Sequence, residues 1–119
     1  MACKSGNESL VKYLIEQGAD INKENKNGKT PLFNACLSGN LNLVKLLVEL
    51  GVNINKENVD GETPLFCVCQ SGNENLLNYL IESGANINKV NKYGNSPLFE
   101  ACSNGNINLV KILIKHGAD

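Results

Sequence analysis

Five cysteines, one histidine and twelve carboxylates are all this chain offers for covalent or metal chemistry, and their spacing decides what they can do. Cys3, Cys36, Cys69 and Cys102 fall 33 residues apart, and Cys67 stands outside the series. Equivalent positions on stacked helical units sit about a helix diameter apart, on the order of 10 Å. A disulfide needs Cα atoms within about 7 Å, so the periodic thiols read as small buried side chains. Cys67 and Cys69 lie two apart on a helix, point to different faces and have no histidine nearby, which leaves a metal short of ligands. Cys67 is therefore the thiol expected at the surface and open to oxidation.

His116 falls in the last turn of the last expected helix, where a cation complements the helix dipole. It forms no constellation with Ser or Cys that would activate a nucleophile. Asp20 and Glu24, and Glu57, Asp60 and Glu62, fit neither a calcium loop nor a carboxylate pair and read as solvated loop charges. The recurring glycines lack the Lys and Ser or Thr of a phosphate loop. No catalytic, cofactor-binding or metal-binding residue is expected.

The elements that position these residues follow from the same interval. Gly6, Gly39, Gly72 and Gly105 align at an offset of 33, as do Leu14, Leu47, Leu80 and Leu113. Such self-similarity is the mark of a solenoid, whose units bury their apolar faces only by stacking. Within one unit, Thr30 can cap a helix that starts at Pro31, runs through Leu32, Phe33, Ala35 and Cys36, and stops at Gly39. Asn40 caps a second helix, Leu41 to Leu50, that is apolar over more than one stripe and ends at Gly51. The polar linker from Val52 to Glu62 carries a hairpin-type Asp60-Gly61 turn, matched earlier by Asn27-Gly28.

The segment GKTPLFNACLSGNLNLVKLLVELGVNIN, from Gly28 to Asn55, resembles the 33-residue unit of the ankyrin-repeat family, and the other copies resemble it over the whole chain. The resemblance implies an all-α ankyrin-repeat solenoid of stacked helix-turn-helix units with β-hairpin-like loops, the loops standing as fingers beside a concave face. Two departures stand out. The family's T-P-L-H histidine, which there joins a hydrogen-bond network between units and loops, is Phe33, Phe66 and Phe99 here. The second alanine of the family's first helix is Cys36, Cys69 and Cys102. Burial of the three phenylalanines along the array is expected to compensate, at roughly 1.5–3 kcal/mol for a fully buried side chain.

Residues 1–119 form one domain in this reading, with a partial unit at 1–26, full units at 27–59 and 60–92, and a unit lacking its final loop at 93–119. Leu10, Val11 and Leu14 at one end, and Leu109, Val110 and Leu113 at the other, read as internal residues. An apolar surface is thus expected at each end, meeting further repeats or supporting weak end-to-end self-association.

The net charge is −1, all eleven basic residues are lysines, and none cluster, which argues against nucleic acid as partner. No window approaches the roughly 18 apolar residues of a membrane span, and no targeting segment opens the chain; the expectation is an intracellular, cytoplasmic protein that does not meet the membrane. The resemblance points to protein–protein interaction through loop tips and the exposed face of each first helix. Those positions are Lys26, Asn27, Lys29, Asn34, Leu37 and Ser38; Val59, Asp60, Glu62, Cys67, Gln70 and Ser71; and Lys92, Tyr93, Asn95, Glu100, Ser103 and Asn104. Tyr93, Val59 and Leu37 are apolar where a free surface is more often polar, and Tyr93 is the expected anchor. The alternative is a targeting arm or spacer of a larger, enzymatic polypeptide.

Overall fold

The computed structural model describes Ser9, Tyr13 and residues 21–118. Helices α1 (Pro31–Ser38) and α2 (Leu41–Glu49), α3 (Pro64–Ser71) and α4 (Glu74–Glu82), and α5 (Pro97–Ser103) and α6 (Ile107–Lys115) follow as three pairs. Among the described residues there is no strand. First helices pack on first helices, α1 on α3 and α3 on α5; each second helix packs on its own partner, and α4 also packs on α6. The array extends 42 × 29 × 20 Å.

Each first helix begins with its proline. Each second helix is capped by asparagine: the side-chain oxygens of Asn40, Asn73 and Asn106 accept from the backbone N–H of Leu43, Leu76 and Leu109 at 3.0–3.1 Å. The second helix of the first described pair stops at Glu49, one residue before the expected Leu50, which serves as its C-cap ahead of Gly51.

The threonines depart from expectation. Neither Thr30 nor Thr63 caps its helix through the side chain, because Phe33 and Phe66 donate their backbone N–H to the threonine carbonyls instead, both at 3.0 Å. The two hydroxyls are buried without a hydrogen-bond partner, and the phenylalanine three residues on carries no polar group to meet them. Ser96, the serine of the third copy, does cap, accepting from Phe99 N–H at 3.1 Å. Thr63→Val is therefore expected to hold or raise stability, by up to about 1 kcal/mol, since it removes an unsatisfied buried hydroxyl. Ser96→Ala should lose about 1 kcal/mol as a true cap. Urea unfolding of both variants reads the difference; a loss in Thr63→Val equal to that in Ser96→Ala would restore the capping role.

The core is aliphatic and continuous, running from Leu32, Val44 and Leu47 through Leu65, Val68, Leu76, Leu77 and Leu80 to Leu109 and Leu113. Helix α3 is covered on both sides, and Pro64, Leu65, Phe66, Cys67, Val68 and Cys69 are all buried. Cys67 is thus not the surface thiol; it is 3% exposed. Among the described cysteines the exposed one is Cys102, on the last described pair, where no further described helix covers it. Phe99 follows the same logic, 51% exposed where Phe33 and Phe66 are buried. The apolar end surface is real but differs from expectation. Leu109 and Leu113 are fully buried against the core and Val110 is half-buried, while Phe99, Ile107 and Ile114 are exposed. Leu10, Val11 and Leu14 lie outside the described residues.

Candidate functional site

The fingers are built by asparagine. At each tip one amide oxygen accepts two backbone N–H groups: Asn25 from Asn27 and Lys29, Asn58 from Asp60 and Glu62, Asn91 from Tyr93 and Asn95, all at 2.9–3.0 Å. A backbone bond closes each tip, from Asn25 N–H to Lys29, Asn58 to Glu62 and Asn91 to Asn95, each 2.9 Å. The asparagine imposes locally the turn that a hairpin would otherwise need strands to hold.

Successive fingers are then tied to each other. Val59 N–H donates to the Asn27 carbonyl and Lys92 N–H to the Asp60 carbonyl, at 2.9 and 2.8 Å. The approach is tight enough to require glycine. A Cβ on Gly28 would sit 3.0 Å from Val59 N, and one on Gly61 would sit 3.2 Å from Lys92 N, at φ of +77° and +76°. Glu62 joins the two later tips, accepting from Asn58 and Asn91 side-chain amides at 3.4 and 3.3 Å. Ion pairs between units run alongside: Glu24 with Lys56 at 2.8 Å, Glu57 with Lys89 at 3.3 Å and Asp60 with Lys92 at 2.7 Å. Exposed pairs of this kind add little stability. They join each finger to the next and give its charge a partner of opposite sign.

Glu24, Glu57 and Asp60 stay open to solvent while each meets a lysine of the next unit, and Asp20 lies outside the described residues. Asp60 is spent on Lys92, and Glu62 on two asparagines. Lys92 also lies over the Tyr93 ring, 5.2 Å from its centroid. Hydrogen bonding to Asp60, then to Tyr93, holds the Lys92 ammonium above its ordinary pKa.

Of the positions named from sequence, Lys26, Asn27, Asn34, Leu37, Ser38, Val59, Gln70, Ser71, Lys92, Tyr93, Ser103 and Asn104 are exposed. Lys29, Asp60, Glu62, Asn95 and Glu100 are half-buried. Cys67 is excluded from the surface: burial pushes its thiol up to about 11, with Lys29 pulling the other way and Glu62 adding to the rise. Ser38 and Ser71 turn their hydroxyls back to the Ala35 and Val68 carbonyls. Across units, Gln70 donates to Glu100 at 3.1 Å and Asn104 to the Cys69 carbonyl at 3.4 Å.

The apolar candidates do not form one patch. Tyr93, 69% exposed, and Val59, 62% exposed, stand on adjacent fingers, whereas Leu37 stands on α1. Two sets of residues were missed. The tip asparagines were legible as an identity at the 33-residue interval. Val90 was legible as a break in one, because positions 24 and 57 carry glutamate where position 90 carries valine.

Among the described residues no three His, Cys, Asp or Glu side chains gather as a metal site, and no helix is long and apolar enough to cross a membrane. A family model described as ankyrin repeats in three copies matches residues 1–91 and 50–119, which together span the chain. No curated protein matches it.

Proposed function

From the premise that this chain belongs to the ankyrin-repeat family, whose members are in general protein–protein interaction modules, we propose that it binds a protein partner through its finger tips, the exposed residues of α1 and α5, and the exposed end of α3 at Gln70 and Ser71, without catalysis. The observation that supports this most is the contrast between fingers that are locked by repeated backbone and asparagine bonds and tips whose outward residues vary between copies. Asn27, Asp60 and Tyr93 occupy one repeat position, and Lys26, Val59 and Lys92 the next to it. Rigid tips lose little conformational freedom on binding, which favours affinity. The exposed face of Phe99, Ile107 and Ile114 is where weak self-association would take place.

Affinity capture from the source organism tests the reading, with a variant changed at Val59, Tyr93 and Leu37 as the control. A protein retained by the chain and lost by the variant supports it. A chain that retains nothing above the background of the variant acts instead as a targeting arm or spacer, and the proposal fails.

A further inference from the structure

Two apolar replacements at different repeat positions converge on one place. Val59 stands where the neighbouring fingers carry Lys26 and Lys92, and Val90 stands where the earlier linkers carry Glu24 and Glu57. Neither position would be expected to meet the other from sequence. In the structure both line the same groove of about 370 Å³ between the second and third described fingers, with Asn58, Gly61 and Asn91 beside them. Val59 is 62% exposed and Val90 45% exposed, so the two valines add open apolar surface to a lining that also carries Glu57, Lys89 and Lys92.

The charges at this groove are closed on themselves. Lys89 is held by Glu57 at 3.3 Å, and Lys92 by Asp60 at 2.7 Å. A charged group entering the groove would meet charges that already have partners of opposite sign, whereas an uncharged apolar side chain gains the two valines and leaves both pairs in place. The groove is also shaped in advance, since Asn58 and Asn91 each hold two backbone N–H groups and share Glu62 beneath them.

We infer that this groove is the specificity pocket of the binding surface and that its occupant is a large uncharged apolar side chain, aliphatic or aromatic, presented by a segment of a partner protein. The inference rests on the proposed function and names the chemistry that the fingers select. Tyr93, next to Lys92 on the same finger, provides a second apolar surface for the residues flanking that side chain.

A library of short random peptides displayed on phage and panned against the chain separates the outcomes. The controls are Val90→Glu and Val59→Lys, which install residues that sister units already carry at those positions and so leave the fold intact, as matching thermal unfolding verifies. Enriched peptides that share a large apolar residue, and that bind each control about tenfold more weakly or worse, support the inference. Enriched peptides that bind the controls as well as the parent overturn it while leaving a protein-binding surface elsewhere. Enriched peptides that share a charged residue in place of the apolar one overturn the chemistry assigned to the occupant. Enrichment of nothing overturns both this inference and the binding function beneath it.

Discussion

Taken from pH 8 to pH 11, the folded chain is expected to lose on the order of 2 kcal/mol of stability for each of three buried thiols, enough together to approach global unfolding. Burial pushes Cys36 and Cys69 from 9.0 up to about 12, and Cys67 up to about 11. Cys36 and Cys69 are fully buried, so desolvation of a thiolate is the dominant cause in each case. Below pH 9 both folded and unfolded chains keep these protons and the stability is fully present. Between pH 9 and 12 the unfolded chain releases protons that the folded chain holds, so stability falls with each step in pH. Urea unfolding at several pH values reads the slope. In a variant carrying Cys36→Ala, Cys67→Ala and Cys69→Ala, the curve should flatten above pH 9 even though its stability at pH 7 is lower. A slope unchanged by the triple substitution would remove these thiols as the cause of alkaline unfolding.

The thiols also show what the sequence could and could not disclose. The interval of 33, the proline starts, the asparagine caps and the helix pairs are local signals, and the structure has them where the residues place them. The expected exposure of Cys67 rests on local geometry too, which assigns opposite faces to residues two apart on a helix. That argument assumes a helix with one covered side. Helix α3 lies between α1 and α5, so both faces are inside, and only Gln70 and Ser71 at its end reach the surface. At the fingers the turn itself was legible in Asp60-Gly61, but the convergence of Val59 and Val90 was not, because the groove is formed by two linkers whose approach depends on the stacking of whole units.

Phe66→Ala should cost about 3–5 kcal/mol, whereas Phe99→Ala should cost less than about 1 kcal/mol, although the two residues share a repeat position. Read by sequence alone, the three phenylalanines are equivalent. Phe66 is 2% exposed and Phe33 0%, whereas the equivalent side chain of the last described unit is open, so the unit that follows covers them and truncation leaves a cavity. Phe99 is 51% exposed, and its removal takes apolar surface from water while opening no interior void. The effect should also spread differently. In a stacked array, stability is a sum of unit terms and nearest-neighbour interface terms. Phe66→Ala weakens the cover that the last described unit provides and should uncouple the last helix pair from the rest, seen as a broadened or two-step urea transition with faster amide exchange in α5 and α6. Phe99→Ala should leave a single transition with an unchanged slope. Equal losses for the two variants would mean that Phe99 is covered in solution, and its surface would then have to be an occupied interface. The same pair of measurements therefore reports on the strength of the stacking contacts and on whether the apolar face of Phe99, Ile107 and Ile114 stays open.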